Sequence, residues 1–194
     1  MASLADFIVS KVRVKLLKTF LENPKEMYHV RDLVRRTNEE INAVRRELSR
    51  MEIAGMAAKE KRGNRLYYWF KSDYPYFQEL LGLVAKSTGI GFDIRKNRGK
   101  LGKVSFVMFS GEFVKHIDRK NKDQVDVLVV GDIVLPELAL LIRQEEARRG
   151  KEINYTPMTK EEFEFRKSRR DPFVLGILSG SRVMILGNEE EFVN

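Results

Sequence analysis

The sequence predicts a mixed α/β fold, α+β overall, arranged as two consecutive domains at residues 1–88 and 89–194. Three observations support this prediction. Helix-like and strand-like hydrophobic patterns occur in both halves, a glycine-rich and basic stretch at 88–103 separates them, and the composition suffices for packed cores. The 194 residues are 43% hydrophobic and 33% charged, which excludes general disorder.

Missing residue types exclude several classes of protein. The chain contains no Cys, which rules out a disulfide scaffold, a thiol nucleophile and cysteine-ligated metal centres. Its two histidines, His29 and His116, lie far apart without metal-ligand spacing, so we expect no metal and no cofactor. No apolar run approaches the roughly 20 residues that span a bilayer, and the first residues do not resemble a signal peptide. We therefore expect a cytoplasmic protein without a membrane partner.

The positive charge is concentrated in the first half. Residues 1–100 hold 21 Lys and Arg against 12 Asp and Glu, a net charge of +9, whereas residues 101–194 hold 15 against 16. A basic module joined to a nearly neutral one indicates a polyanionic partner for the first module. A solubilising basic surface is the alternative.

The first half has the pattern of three helices followed by a hairpin. Asn38 is the expected cap of the third helix, with Glu39 and Glu40 opposing the positive end of the helix dipole, and Gly55 suits a left-handed position after its last turn. Aromatic residues in the second strand favour packing within the hairpin over base stacking. The expected elements are a helix at 6–21, a helix at 29–36, a helix from 37–40 to Gly55, and strands at 56–60 and 65–70 joined by a turn at 61–64.

The third helix has two different faces. Ile41, Val44, Leu48 and Met51 form an apolar stripe, while Asn, Arg and Ser side chains, which bond to base edges and phosphates, occupy the other side. With a basic hairpin directly after it, this pattern predicts a winged helix-turn-helix that binds double-stranded DNA. A merely solvated basic face is the alternative. The predicted DNA-binding residues are Arg35, Arg36, Asn42, Arg45, Arg46, Ser49, Arg50, Lys61, Arg62, Asn64 and Arg65.

Four segments in order carry a family resemblance: 30–34 (VRDLV), 42–48 (NAVRREL), 52–56 (EIAGM) and 63–68 (GNRLYY). Residues 8–88 resemble the ArsR-like winged-helix regulators. The resemblance implies a transcriptional regulator. Metal-sensing members of that family use Cys or His clusters, which this chain lacks, so we expect a regulator without that sensor.

The second half has the pattern of a small α/β domain. The isolated His116 is interpreted as a surface helix residue, the basic cluster 166–170 as a solvated helix face rather than a DNA contact, and 189–191 as a solvated acidic tail. Thr159 and Glu162 form a capping box that begins a helix. The expected elements are strands at 104–109 and 125–130, a helix at 135–149, a strand at 151–156, a helix from 159, a segment at 171–178 and a strand at 183–186.

This layout resembles the minimal nucleotidyltransferase domains. In that family a Gly-Ser turn holds the nucleotide phosphates, and an Asp-x-Asp pair on the next strand binds magnesium ions for phosphoryl transfer. Here Ser110 and Gly111 stand in reversed order, Gln124 replaces the first carboxylate, and Asp126 matches the second. Glu152 is the candidate third carboxylate, on one strand face with Asn154. An amide cannot supply the missing charge, so the resemblance implies an inactive domain with no catalytic residue.

Over nearly the whole chain, the order of segments 110–113, 125–132, 152–155 and 161–163 after the winged helix resembles a prokaryotic group of regulators. Members join an N-terminal winged helix to a nucleotidyltransferase-like domain. We therefore expect a sequence-specific DNA-binding transcriptional regulator whose C-terminal domain serves dimerisation or ligand sensing, with a nucleotide or small-molecule effector left open. The alternatives are an active metal-dependent nucleotidyltransferase targeted by its winged helix, and a protein-interaction adaptor.

A homodimer is also expected, because one winged helix contacts few base pairs. Three surfaces are candidates for the pairing. The first is the apolar start of the first helix at Phe7 and Ile8. The second is the C-terminal domain. The third is the apolar face of a helix at 74–87, formed by Phe77, Leu80, Leu81 and Val84.

Overall fold

A computed structural model describes residues 4–6, 8–119 and 121–194 and confirms the mixed α/β class. The chain divides into two compact units, Met1–Ser87 and Thr88–Asn194, called unit 1 and unit 2 below. Each unit contains its own small sheet. Within the described part of the chain, no helix has both the length and the apolar character that a membrane crossing requires.

Unit 1 combines helices with a three-stranded antiparallel sheet of order β1-β3-β2. A short 3-10 helix, Leu4–Asp6, precedes the first α-helix. In the sheet, Tyr28 pairs with Tyr68 and Ala57 with Phe70. The elements are α1 (Lys11–Glu22), β1 (Tyr28–His29), α2 (Val30–Thr37), α3 (Ile41–Ile53), β2 (Ala57–Arg62), β3 (Arg65–Phe70) and α4 (Phe77–Ser87).

The ends of the unit 1 helices are set by capping groups. Helix α1 begins five residues later than expected, because the Ser10 hydroxyl accepts a hydrogen bond from the backbone N–H of Arg13 and so satisfies a free amide of the first turn. The predicted cap of α3 was wrong. Asn38 ends α2 in the left-handed conformation, with φ of 51°, and the Glu40 carboxylate caps α3. Gly55 has a φ of 72° directly after the α3 cap, as predicted.

Helix α4 packs against α1 within unit 1. Its residues Phe77, Leu81 and Val84 are buried, while Leu80 is only partly buried. The apolar face of α4 therefore belongs largely to the core of its own unit, which removes most of it from the candidate dimer surfaces. Phe7, the other apolar residue considered for pairing, lies outside the described residues, and Ile8 is partly buried.

Unit 2 contains a four-stranded sheet of order β6-β5-β4-β7, in which only the β5–β6 pair is parallel. Its core is formed by aromatic and aliphatic residues such as Phe106, Leu128, Met158 and Phe163. The elements are α5 (Gly89–Lys96), β4 (Gly102–Ser110), α6 (Gly111–Val114), β5 (Val127–Ile133), α7 (Leu135–Arg149), β6 (Tyr155–Met158), α8 (Lys160–Ser168), α9 (Pro172–Ser179), β7 (Arg182–Leu186) and α10 (Glu189–Val193).

Two segments at the start and middle of unit 2 differ from the prediction. The stretch 88–103 contains α5, which buries Ile90 and Ile94 despite its glycines. The third strand starts at Tyr155 instead of residue 151, because the preceding amides bond to side chains and not to a strand. The N–H of Ile153 donates to the Glu146 carboxylate, and that of Asn154 donates to Asp126 Oδ2. The predicted helix at 135–149 is confirmed as α7.

The acidic residues at 189–191 are exposed, as predicted, but they form the first turn of a helix. Asn188 caps α10, and Phe192 on this helix is completely buried with its ring stacked on Phe163 at 5.1 Å between centroids. His116 is not helical, since it follows α6 with a φ of 53°. The basic cluster at 166–170 begins in α8, where Arg166 forms an ion pair with Glu162.

A buried carboxylate joins the first and third helices of unit 1. Glu47 on α3 is 3% exposed, and its oxygens accept hydrogen bonds from Arg13 Nε and from the Ser10 hydroxyl, the latter at 3.0 Å. Arg50 adds a weaker ion pair at 3.5 Å. Because a buried charge is costly without partners, these contacts fix α3 against the start of α1.

Removing the nearest cation should therefore destabilise unit 1. For Arg13→Ala we expect the free energy of unfolding to fall by about 2–4 kcal/mol, because the Glu47 carboxylate stays buried with weaker partners. Denaturant titration of the full chain measures this change. Lys18→Ala on the same helix is the control, because Lys18 has no ion pair with a described residue. Equal losses in the two variants would contradict the role of Glu47.

Candidate functional site

The two faces of α3 separate the core from the solvent. Val44, Leu48 and Met51 are completely buried, as the apolar stripe predicted, while Ile41 is partly buried. The polar residues of the opposite side all reach solvent. The exposed side chains of this helix that were predicted to contact DNA are Asn42, Arg45, Arg46, Ser49 and Arg50.

The start of α3 is occupied by its own carboxylate. Glu40 Oε2 accepts hydrogen bonds from the backbone N–H groups of Asn42 at 2.8 Å and Ala43 at 2.9 Å. These bonds, the Asn42 bond foremost, lower the pKa of Glu40, and the nearby charges of Arg46 and Arg45 act in the same direction. The Glu40 carboxylate therefore occupies the helix N-terminus, where a phosphate would otherwise bind. A ligand can contact the side chains of α3 but not these backbone N–H groups.

The hairpin of β2 and β3 turns tightly and carries cations at its tip. Arg62 pairs directly with Arg65 across a turn formed by Gly63 and Asn64. Gly63 has a φ of 58°, as the first central residue of a type II′ turn requires. Strand β2 thus extends two residues beyond its predicted end. Together with Lys61, these tip residues are exposed.

A groove in unit 1 brings the helix and the hairpin together. A cavity of about 530 Å³ is lined by Arg31 at the start of α2, Arg45 on α3, and Asn64 and Arg65 on the hairpin. No carboxylate lines it, and none of the three arginines forms an ion pair with a described residue. The groove is therefore a concave, positively charged surface. Arg31 was missed by the sequence reasoning, and its position at the beginning of a helix was the available signal.

Other predicted DNA-binding residues are held by neighbours within unit 1. Three of them form ion pairs: Arg35 with Asp32 at 2.8 Å, Arg50 with Glu47 at 3.5 Å, and Arg62 with Glu60 at 3.0 Å. The guanidinium carbon of Arg36 lies 5.1 Å from the centre of the Tyr28 ring. These four cations therefore have partners within unit 1. The other predicted DNA-binding residues are exposed and form no ion pair with a described residue. They are Asn42, Arg45, Arg46, Ser49, Lys61, Asn64 and Arg65.

In unit 2, the positions that resemble nucleotidyltransferase residues line two different cavities. Ser110 and Gln124 line a cleft of about 440 Å³ against α9, which we call the Ser110 cleft. Asp126 and Glu152 line a different cavity of about 190 Å³, which we call the Asp126 cavity. The expected placement of a carboxylate at 152 on a strand face was wrong, because Glu152 lies before β6 and is exposed.

Ser110 and Gly111, which stand where the family has its Gly-Ser turn, each have a structural contact within unit 2. The Ser110 hydroxyl caps α6 by accepting a hydrogen bond from the Phe113 N–H at 3.2 Å. Gly111 donates its N–H to the Ser181 carbonyl at 2.7 Å, and a Cβ at this position would lie 2.0 Å from the Ser181 hydroxyl oxygen. The approach of these two backbone segments explains the glycine without a bound phosphate.

Asp126 is also bound within the protein. Its Oδ2 accepts a hydrogen bond from the Asn154 N–H at 2.9 Å and lies 3.3 Å from Arg119 Nη1. Burial raises the pKa of Asp126 above its usual value, against the opposing effects of the Asn154 bond and of Arg119. Both contacts are made by the same carboxylate oxygen, so Asp126 is held by partners within unit 2. Among the described residues, no group of three or more His, Asp and Glu side chains could hold a metal ion.

Comparison with models of known protein families, with curated protein sequences and with solved structures finds no match to this chain.

Nucleotidyl transfer should be undetectable for this chain. The purified protein, incubated with each of the four labelled ribonucleoside triphosphates and magnesium or manganese, should transfer no label. The physical reason is that Gln124 supplies no charge for a cation and lines a different cavity from Asp126. Transfer that is abolished by Asp126→Asn would contradict this expectation.

Proposed function

We propose that this chain is a sequence-specific, double-stranded DNA-binding transcriptional regulator. The observation that carries the proposal is the groove in unit 1, where Arg31, Arg45 and Arg65 stand together without a carboxylate in the lining. Guanidinium groups without internal partners are the groups that bind phosphates and guanine edges most strongly. The concentration of positive charge in residues 1–100 supports the same partner.

The order of elements in unit 1 supports a winged helix-turn-helix. Helix α1 is followed by the short β1, by α2 and α3, and by the β2–β3 hairpin, with β1 completing a three-stranded sheet. In this interpretation α3 is the recognition helix, which enters the major groove, and the hairpin is the wing, which contacts the backbone. Asn42, Arg45 and Arg46 would read bases, and Lys61 and Arg65 would contact phosphates.

For unit 2 we propose a nucleotidyltransferase-like domain that has lost catalysis. The separation of Gln124 and Asp126 into two cavities supports the loss, since magnesium-dependent transfer requires carboxylates that converge on the same ions. A domain of this kind serves assembly or ligand sensing in the regulator. Because its DNA target is chromosomal and the resemblance is prokaryotic, we propose a cytoplasmic location.

Substitutions on α3 should change sequence preference. Replacing Asn42, Arg45 or Arg46 singly by Ala should cost about 1–3 kcal/mol in binding to the preferred site and relax selection at one base pair. Selection of bound fragments from genomic or random DNA first identifies that site, and gel-shift titration then measures each variant. Unchanged affinity of the double variant Arg45→Ala, Arg46→Ala would contradict the recognition-helix assignment.

Substitutions in the β2–β3 hairpin should affect DNA binding differently from those on α3. Lys61→Ala and Arg65→Ala should weaken binding to all sequences alike and reduce the salt dependence, because phosphate contacts release counterions. Arg62→Ala should have a smaller effect, since Arg62 is paired with Glu60. Arg35→Ala, paired with Asp32 and away from the lining of the groove, is a charge-matched control.

We also propose a homodimer on an inverted repeat. Two recognition helices about 34 Å apart on one face of the duplex supply the affinity that one lacks against non-specific DNA. The segment before α1 has exposed apolar surface at Val9, which is 99% exposed and follows the partly buried Ile8. Sedimentation equilibrium at micromolar concentration should give about twice 22.6 kDa. A monomer both free and on its preferred DNA would contradict the dimer.

A further inference from the structure

The Ser110 cleft in unit 2 has an apolar wall that the core covers only in part. Helix α9 is almost entirely apolar in sequence. Val174 is buried, while Phe173, Ile177 and Leu178 pack against the core and remain partly exposed. Phe173, Gly176 and Ile177 line the cleft together with the buried side chain of Val125 at its base. The volume of about 440 Å³ lies within the range of small-molecule pockets, which combine apolar walls with a few polar groups.

The charged groups of the cleft are all acidic. Glu112 and Asp123 line it, and no Lys or Arg does so among the residues that the structure describes. Neither carboxylate forms an ion pair with a described residue, whereas the buried Asp126 and Glu145 of the same unit are both paired with arginines. Two carboxylates beside an apolar wall favour a cation.

The same charges disfavour a nucleotide. A triphosphate in this cleft would face the carboxylates of Glu112 and Asp123 without a described basic side chain to bind it. The cations of this part of unit 2 lie instead at the Asp126 cavity, where Arg119, Arg149 and Lys151 are each held by a carboxylate. The cleft therefore lacks the complementarity that phosphate binding requires.

We infer that the Ser110 cleft binds a small organic cation. An ammonium or guanidinium head is held by Glu112 and Asp123, and an aromatic or aliphatic body lies against the α9 wall at Phe173 and Ile177. Amines and guanidines with an apolar body are the class of ligand that this lining recognises. The inference concerns unit 2 alone and does not depend on DNA binding by unit 1.

Three probes of matched size and different charge test the inference. The isotope-labelled full chain is titrated with 2-phenylethylammonium, with neutral 2-phenylethanol and with anionic phenylacetate, and amide resonances are followed by NMR. We expect the ammonium probe to shift resonances at 110–112, 123–125 and 172–177, and to bind at least tenfold more tightly than phenylacetate. Equal binding of the anion, or shifts confined to other regions, would overturn the inference.

Two independent variants test the contributions of the carboxylates and of the apolar wall to binding separately. Glu112→Gln with Asp123→Asn should lower the affinity of the ammonium probe to that of the alcohol. Gly176→Leu should abolish binding of the ammonium and alcohol probes, because Gly176 lines the cleft and the open space around its Cβ position admits a large side chain there. Glu161→Gln on α8, an exposed carboxylate outside the cleft, should leave binding unchanged.

A nucleotide arm completes the test. Magnesium with adenosine triphosphate is titrated under the same conditions and should cause no shifts at the cleft. Shifts there that exceed those of the ammonium probe at equal concentration would replace the cation with a nucleotide and overturn the inference. Far-UV circular dichroism of each variant confirms that it is folded. The carboxylate variant and Gly176→Leu alter different parts of the cleft, so if one of them does not fold, the other still tests the inference.

Discussion

The geometry of unit 1 depends on the buried carboxylate of Glu47. It lies on α3, on the side that faces α1, and its contacts with Arg13 and Ser10 fix the position of α3 at the point where α1 begins. Ser10 also caps α1, so one serine determines both where that helix starts and how it holds its neighbour. Apolar packing alone tolerates small rotations of a helix, whereas directed hydrogen bonds to a buried charge do not. The outward direction of Arg45 and Arg46 follows from that restraint.

Local patterns predicted those elements whose stability is local. The apolar stripe of α3, the glycine after it and the full length of α7 all follow from residue spacing and helix-end chemistry. The burial of Phe192 and the late start of β6 depend on distant residues. Phe192 is buried because its ring stacks on Phe163, and the N–H groups of Ile153 and Asn154 donate to side chains elsewhere in unit 2. No window of neighbouring residues contains those partners.

The candidate DNA interface was likewise predictable from local sequence only in part. Sequence composition identified the basic helix and hairpin, but it did not distinguish cations with internal partners from those without. Short-range spacing contained part of that information, since Arg35 follows Asp32 by three positions and Arg50 follows Glu47 by three, the spacing at which helical side chains meet. The meeting of Arg31 with Arg65 in one groove joins a helix start to a hairpin across the fold. Only tertiary structure supplies it.

In unit 2, one local feature explains why Gln124 and Asp126 line different cavities. Alternate residues share a face only where the chain is a paired strand, and β5 begins at Val127, after both Gln124 and Asp126. Ahead of the strand, Asp126 turns to the Asn154 amide and Arg119, while Gln124 lines the cleft beside Ser110. The Arg119 guanidinium thus pairs with the Asp126 carboxylate within unit 2. The cleft has an apolar wall, and its carboxylates suit a cationic ligand better than a phosphate.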